Sequence, residues 1–305
     1  LTSADGTNWA YRYTYGAMTL NDVTHAAGRF VAVGSAPGLS TLVMLSADGI
    51  NWERIPLGGF NAPQCIAYGN GQFIAAGFMS IIRSADGTNW ALAQAVPKQV
   101  ESVTYANGQF VAVGYEGTVL TSPDARTWTT RNSGTTRNLH GITYAAGLYV
   151  AVGRNGTVIT SPDAINWITR PTPTTNYLER VAWGGGRFVI AATGGTILSS
   201  TNGVTWQQHA NPAPTDTELE GVAYGEGRFV IVGARFDGQA HSVMLVSSNG
   251  TDWTLTTIDV GKGLRGVHYD GQQFVADPVI DLGDVVGGLE PHDPDARAHA
   301  RDPRR

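Results

Sequence analysis

The sequence is poor in cysteine, lysine and long apolar runs. These shortages argue against a disulfide, a nucleic-acid-binding groove and a membrane-spanning helix, respectively. Cys65 stands alone, so no disulfide can form within the chain, and its apolar neighbours Ile66 and Ala67 predict a small buried side chain rather than a nucleophile. Lysine occurs only at Lys98 and Lys262 and the net charge is -5, which argues against a nucleic-acid-binding groove. No apolar run reaches the roughly 18 residues of a membrane-spanning helix, so we expect no membrane span.

Charged residues are also scarce, at 15%, whereas glycine is abundant, at 39 residues. Together with a hydrophobic content of 42%, this composition predicts many short strands joined by tight turns around a sizeable core. A chain of 305 residues is long enough for two ordinary domains. Internal repeats therefore have to be sought before any domain is assigned.

One heptapeptide supplies the repeat. SADGTNW occurs at residues 3–9 and again at 84–90, and SADGINW occurs at 46–52. A Ser, an Asp or Asn two residues later and a Trp four residues after that recur seven times, with the tryptophans 38 to 47 residues apart. That spacing is typical of four short strands with their turns. The seven tryptophans are Trp9, Trp52, Trp90, Trp128, Trp167, Trp206 and Trp253.

The sequence between the motifs predicts the fold. Each copy has a short apolar alternation, a turn containing Gly and a run rich in Val, Phe and Ala, as in SVTYANGQFVAVG at 102–114. This pattern indicates a four-stranded antiparallel meander. Such units bury both faces when they pack around an axis, so we predict an all-β, seven-bladed β-propeller. A linear solenoid is the alternative, but it does not require complementary half-units at its ends.

The chain ends predict how the ring closes. Residues 1–3 form the end of a third strand, and the last recognisable repeat stops after a second strand near Ala276. We therefore predict a closing blade shared by both termini, built from about 261–286 plus 1–15. The propeller is predicted to be a single domain over 1–276. Asp, Arg, Pro and His dominate 287–305, which predicts an irregular or disordered tail.

The repeated motif is interpreted as a turn that needs no ligand. An Asp side chain accepts hydrogen bonds from the N–H groups of its own loop, Gly supplies a positive φ, and Trp packs where the next strand begins. Asn replaces Asp at Asn202 and Asn249, which keeps the acceptor and loses the charge. A catalytic carboxylate would not tolerate that exchange, so these Asp residues are predicted to be structural.

The pattern S-x-D-G-x-x-W, as in SADGTNW, resembles the Asp-box, or BNR, repeat of the sialidase-like propeller superfamily. The resemblance covers about residues 1–276. It implies a propeller of the kind found in many bacterial surface and secreted proteins, so it favours a secreted or cell-surface location. It does not fix an activity, because enzymes, lectins and assembly factors share the repeat.

Sialidase activity itself is not predicted. Sialidases carry an Arg-Ile-Pro motif before their first Asp-box, whereas Arg54-Ile55-Pro56 follows Trp52 here. Those enzymes also need further arginines, a Tyr–Glu pair and an acid/base Asp. Most tyrosines of this chain recur at one column and are interpreted as core. The related enzymes are six-bladed, whereas seven units are counted in this sequence.

One column between the repeats is polar and divergent. It follows the residue that opens each innermost strand, and placed on a ring its members would surround the mouth of the central tunnel. Divergence beside constant neighbours indicates a column that faces water, on the face that also carries the variable loops. The seven residues are Asn21, Gln64, Glu101, His140, Glu179, Glu220 and Arg265.

These residues carry the site predictions. Glu101, His140, Glu179 and Glu220 come from consecutive blades and are the candidate catalytic acids and bases. Three of them, His140, Glu101 and Glu179, are candidate ligands of a divalent metal ion in the tunnel. A hydrated polar lining without chemistry is the alternative. The candidate ligand-binding residues are Asn21, Gln64, Arg265, Tyr13 and Phe60, the last two because aromatic rings stack on sugars and fill peptide pockets.

The sequence therefore predicts a binding propeller that recognises a glycan or protein ligand on the variable-loop face, at the tunnel mouth. The alternative is an enzyme centred on the Glu/His ring, either a metal-assisted hydrolase or a polysaccharide lyase, and not a sialidase. An assembly or scaffold protein is a third class that the sequence leaves open. A small molecule is a further candidate ligand, no nucleic acid is expected as a partner, and a monomer is expected.

Overall fold

A computed structural model describes residues 1–10, 18–36, 39–57, 59–214, 216–236, 240–256 and 263–278. Strands dominate these ranges, and the helix found in them is a single turn of 3-10 helix at Tyr115–Gly117. None of the described helical structure is long and apolar enough to span a membrane. The predicted tail at 287–305 and the predicted strand at 11–15 lie outside the described residues.

The first half of the described chain contains three four-stranded blades. Their strands follow one another in sequence and in space. The short strand β1 is Thr2–Ser3; blade 1 is β2 (Thr19–Ala26), β3 (Arg29–Ala36), β4 (Leu39–Ser46) and β5 (Glu53–Pro56); blade 2 is β6 (Pro63–Gly69), β7 (Gln72–Gly77), β8 (Ser80–Ser84) and β9 (Ala91–Ala95); blade 3 is β10 (Val100–Ala106), β11 (Gln109–Gly114), β12 (Val119–Ser122) and β13 (Thr129–Arg131).

The second half contains three more such blades and the closing blade. Blade 4 is β14 (Leu139–Ala145), β15 (Leu148–Gly153), β16 (Thr157–Ser161) and β17 (Ile168–Arg170); blade 5 is β18 (Leu178–Gly184), β19 (Arg187–Ala192), β20 (Thr196–Ser200) and β21 (Gln207–His209); blade 6 is β22 (Thr217–Gly225), β23 (Arg228–Phe236), β24 (Ala240–Ser247) and β25 (Thr254–Thr256); blade 7 begins with β26 (Leu264–Tyr269) and β27 (Phe274–Pro278).

The seven described sheets form a ring, which confirms the predicted seven-bladed β-propeller. The first strand of each blade is innermost, and each inner strand contacts the inner strands of the neighbouring blades, with β26 meeting β2 to close the circle. The core lies between blades. Ile74 of blade 2 and Val100 and Phe110 of blade 3, for example, are fully buried in one cluster.

Blade 7 is shared by the two ends of the described chain, as the sequence predicts. Strand β1 pairs antiparallel with β27, with Thr2 opposite Val275 and Ser3 opposite Phe274. Ala10 adds a bridge to Thr2 on the outer side. The third-strand position of this blade is therefore held by β1.

An aromatic stack runs through each blade. In blade 3, Tyr105 on the inner strand packs on Phe110 with ring centroids 4.7 Å apart, and Phe110 lies 6.2 Å from Trp128. The same three-column stack recurs around the ring, for instance at Tyr224, Phe229 and Trp253. The recurring tyrosine column therefore belongs to the core, as predicted.

The repeated motif forms the predicted turn. Asp86 accepts hydrogen bonds at Oδ1 from the backbone N–H groups of Thr88 (2.9 Å) and Asn89 (2.8 Å) and from Ser84 Oγ (2.9 Å). These hydrogen bonds hold the pKa of the Asp86 carboxyl well below its usual range. Asn202 accepts the equivalent N–H bonds through its amide oxygen, at 2.8 and 3.0 Å. The turn therefore needs an oxygen acceptor and not a charge.

Two smaller predictions also hold. Cys65 is buried and unpaired, and burial raises the pKa of its thiol further from the range in which it reacts. Arg54 lies on β5, the outermost strand of blade 1, and not at the tunnel mouth.

Candidate functional site

A β-bulge in every inner strand creates the site. In blade 3 the pairing of β10 with β11 slips between Val100 and Ser102, which leaves Glu101 unpaired. The same slip occurs at the same place in the other six blades. A bulge frees a residue from the ladder and re-aims its side chain. The seven bulged residues are those of the divergent polar column, Asn21, Gln64, Glu101, His140, Glu179, Glu220 and Arg265.

Two of the predicted catalytic residues form a pair. His140 Nδ1 lies 3.0 Å from Glu179 Oε2, and the His140 ring meets Tyr177 edge-on at 6.4 Å between centroids. Arg180 Nη1 donates to the carbonyl oxygens of His140 (2.8 Å) and Glu179 (3.0 Å). Burial alone would raise the pKa of Glu179, but the hydrogen bond and charge of His140 and the nearby guanidinium groups outweigh it and lower that pKa.

The other two predicted catalytic carboxyls are held differently. Gln99 Nε2 donates to Glu101 Oε1, and burial raises the pKa of Glu101 although His140, Arg180 and Arg265 act against that rise. Burial and the negative charge of Glu179 raise the pKa of Glu220. Because a raised pKa marks a carboxylate whose negative charge is poorly compensated, both groups favour a cation or a proton nearby.

The predicted metal ligands are only partly brought together. His140 and Glu179 are in contact, whereas Glu101 accepts a hydrogen bond from Gln99, two residues before it in the same blade. Within the described ranges, no three His, Cys, Asp or Glu side chains are grouped closely enough to hold a metal ion. The physical reason is that the bulges space these side chains one per blade around the ring, so that the contact found between two of the predicted ligands joins neighbouring blades, at His140 and Glu179.

The predicted ligand-binding residues separate into two kinds. Asn21 is buried: its amide Nδ2 donates to Pro63 O (2.9 Å) and its Oδ1 accepts from Arg265 Nη1 (3.3 Å), so it connects blades 7, 1 and 2. Arg265 is exposed and Gln64 is half-buried, so both remain accessible. Asn21 is thus placed as a structural link rather than as an accessible contact.

Sequence reasoning missed two charged residues of the site. Asp22 and Arg180 occupy the column directly after the bulge, which holds Cys, Ser or Gly in the other five blades. Asp22 Oδ2 accepts the Ile66 N–H at 2.9 Å, and burial raises the pKa of Asp22 to about 6 against the effect of these bonds and of Arg180. Charges in a column of small residues were the signal that could have found them.

The loop residues of blade 2 that could contact a ligand differ in exposure. Phe60 is half-buried and packs against the apolar cluster between blades 1 and 2, so part of its ring is covered by that cluster. Tyr13 lies outside the described residues. Phe78 and Met79, in the loop from β7 to β8, are each 51% exposed.

Comparisons with known proteins agree with this architecture. No family model matches the chain, and no curated protein matches it. A solved structure titled "YCF48 bound to D1 peptide" is 14% identical, with a TM-score of 0.66 over 92% of this chain and 95% of that chain. A structure of YCF48 from Cyanidioschyzon merolae is 16% identical, with a TM-score of 0.64 over 86% of this chain and 93% of that chain.

A streptogramin B lyase structure is also similar. It is 9% identical to this chain, with a TM-score of 0.71 over 84% of this chain and 89% of that chain. At such low identity these likenesses concern the fold and not the activity. The chain is therefore similar over most of its length to propellers of different functions. A function for this chain has to be inferred from its own site.

Proposed function

We propose that the chain is a binding propeller that recognises a segment of another protein at the tunnel mouth. The observation that carries this proposal is the ring of seven bulged residues. The bulge is the same in every blade, whereas the residue that occupies it changes from amide to acid to base. A constant backbone position whose side chain differs from repeat to repeat is typical of a binding surface on a rigid scaffold.

A protein ligand fits better than a glycan. The ring of Phe60, the aromatic residue proposed for stacking on a sugar, is half-buried against the cluster between blades 1 and 2, whereas Phe78 and Met79 are each 51% exposed. Aromatic residues and methionine are enriched in protein–protein interfaces. One of the similar propellers, YCF48, was solved bound to a peptide, which is consistent with this use of the fold.

We also propose that the repeats are Asp-box repeats. The fully described copies of the turn share the Ser–Asp or Ser–Asn bond and the two N–H bonds to the same oxygen, as at Asp48, Asp163 and Asn249. This recurrence supports the resemblance seen in the sequence. It bears on folding and leaves the choice of ligand to the opposite face.

Panning of a phage-displayed library of random peptides tests the binding proposal. We expect peptides that bind the wild-type protein and lose binding to the double variant Glu101→Ala, Arg265→Ala. Ile165→Ala is the matched control, because Ile165 is an exposed apolar residue (48%) in an Asp-type turn at the other end of the blades. Absence of selected peptides, or binding that the double variant leaves unchanged, would refute the proposal.

The pair of His140 and Glu179 favours a second candidate, a hydrolase. Glu179 holds Nδ1 of His140, and no bond to Nε2 is present among the described residues, so Nε2 can take a proton from water. Glu101, with its raised pKa, could return a proton to a leaving group. A lyase acting on acidic polysaccharides fits less well, because the carboxylates of the mouth repel such substrates.

Hydrolysis of p-nitrophenyl acetate tests this second candidate. The wild type should be faster than His140→Gln, and Glu179→Gln should shift the pH at which the rate is half-maximal. His209→Gln is the control, since His209 lies on β21, the outer strand of blade 5. Equal rates for the wild type and both histidine variants would exclude His140 as a base.

A further inference from the structure

The loop between β7 and β8 holds a methionine in the left-handed backbone region. At the corresponding turns the left-handed backbone position is filled by Glu116 (φ 52°), Asn155 (φ 56°) and Gly194 (φ 62°), whereas blade 2 places Met79 there with φ 61°. Methionine is poorly suited to this conformation, which favours Gly and Asn. Because Met79 is 51% exposed, core packing does not compensate the strain. A strained residue without a packing role is a candidate for function.

The same loop lies beside the tunnel mouth. A Cβ on Gly77, which precedes Phe78, would come 2.4 Å from Ala62 O and 3.0 Å from Gln64 N, so this loop abuts the start of the inner strand of blade 2. In blade 3 the N–H of Tyr115 donates to Gln99 O at 2.9 Å, and Gln99 in turn holds Glu101. The loops that carry the exposed apolar residues of blades 2 and 3 therefore lie at the end of the blades where the inner strands begin and the bulged residues lie.

The mouth itself carries an excess of negative charge. Its described carboxylates include Asp22, Glu101, Glu179 and Glu220. Two guanidinium groups, Arg180 and Arg265, and the imidazole of His140 oppose them.

Glu220 is the least satisfied member of this set. No hydrogen bond or ion pair to its carboxylate is found within the described ranges, and it feels both Glu179 and Glu218 as like charges. Lys98, just before the inner strand of blade 3, is already paired with Glu116 at 2.7 Å. Arg265 and Arg180 oppose these like charges at Glu220 only in part, so a further positive charge at the mouth would be stabilised by its carboxylates.

We propose that Phe78 and Met79, together with Glu101 and Glu220 at the mouth, form one docking surface for a linear protein segment in which a Lys or Arg lies next to an apolar residue. The apolar side chain of the segment contacts Phe78 and Met79, and its basic side chain enters the mouth. This inference rests on the proposed binding function and specifies its ligand. Charge complementarity selects a basic segment over an acidic one, and the exposed Met79 beside Phe78 favours an apolar side chain of a peptide over a sugar.

Defined peptides test the inference. The probes are fluorescein-labelled Gly-Phe-Arg-Leu-Gly, the same peptide with Glu in place of Arg, and the same peptide with Ser in place of both Phe and Leu. We expect the arginine peptide to bind the wild type, and each altered peptide to bind at least about tenfold more weakly. In fluorescence anisotropy, Glu220→Gln should weaken binding of the arginine peptide several-fold and should not strengthen binding of the serine peptide.

Met79→Gly separates strain from packing. Glycine adopts the positive φ without steric strain, and this gain offsets the extra backbone entropy that glycine loses on folding, so this variant should unfold at the same or a higher temperature than the wild type while it binds the arginine peptide about tenfold more weakly. Ile165→Ala, on the other end of the blades, should leave binding unchanged. The combination of retained stability with lost binding is not expected of a residue that only packs.

Several results would overturn the inference. They are equal binding of the arginine and glutamate peptides, binding that Met79→Gly leaves intact, a lower unfolding temperature for Met79→Gly, and no binding of the arginine peptide. If library peptides bind the mouth but lack basic residues, this inference fails and the proposed binding function stands. If no library peptide binds, the proposed function fails as well, so the two failures are distinguishable.

Discussion

The Asp86 turn allows one prediction to be worked through in detail. Replacing Asp86 with Ala removes the acceptor of the Thr88 and Asn89 N–H groups and of Ser84 Oγ, together with the bond at 2.7 Å from Asn89 Nδ2 to Asp86 Oδ2. Thr88 is half-buried and Asn89 is exposed, so water replaces part of what is lost. At about 1 kcal/mol for each backbone donor, we expect Asp86→Ala to lower the free energy of unfolding by about 2 kcal/mol.

Asp86→Asn is the matched control. Asn202 and Asn249 show that an amide oxygen accepts the same two backbone bonds, so Asp86→Asn should cost less than about 1 kcal/mol. Urea unfolding followed by tryptophan fluorescence measures both variants, and the Ala variant should also melt about 4 °C below the wild type. Equal losses of unfolding free energy in Asp86→Ala and Asp86→Asn would refute the reasoning.

The pH dependence of this turn has a definite sign. Because the pKa of Asp86 is lowered in the folded protein, its ionised form stabilises the fold above the ordinary value of 3.8, and this stabilisation is lost as the pH falls below that value. The Asn variant has no such proton to bind. The difference in stability between the wild type and Asp86→Asn should therefore change in favour of the variant in acid.

Three further predictions concern other parts of the ring. Thr2→Pro removes the bond from the Thr2 N–H to Ala10 O at 3.1 Å, so urea unfolding should show a loss of about 1 to 3 kcal/mol at the closing blade. Burial lowers the pKa of His268 to about 4 from 6.5, so stability should fall by about 3 kcal/mol between pH 6.5 and 4 and His268→Ala should abolish that fall in urea titrations across this range. Gly184→Ala places a Cβ 1.9 Å from Tyr224 Cγ and should lower the unfolding temperature, with a loss of about 1 to 3 kcal/mol.

Each of these has its own control. Thr2→Ser keeps the backbone donor and should be close to the wild type, and an equal loss in Thr2→Pro and Thr2→Ser would contradict the assigned bond. An unchanged slope of stability with pH in His268→Ala would show that another group titrates. For the glycine, the double variant Gly184→Ala, Tyr224→Ala should lose less than the sum of its single changes, because the collision partner is gone.

Some of the site was readable from the sequence and some was not. The divergent column of Glu101, His140 and Glu179 was found because constant neighbours framed it, and the structure places it at one bulge per blade. The partial burial of Phe60 was not readable from the sequence, because a loop residue's burial depends on the blade beside it. Met79 was missed because a positive φ and a 51% exposed side chain are properties of the folded loop.

The sequence by itself determined the number of blades, the turn in each and the sharing of the last blade. These are local or periodic properties: an Asp or Asn that satisfies its own loop, a Gly at positive φ, and half-units at the two ends of the repeat series. Only the tertiary structure decided which polar groups meet across blades. His140 meets Glu179, Asn21 meets Arg265, and Glu220 lies near the charge of Glu179. The members of each pair are about forty or more positions apart, so ring closure and not the neighbouring sequence brings them together.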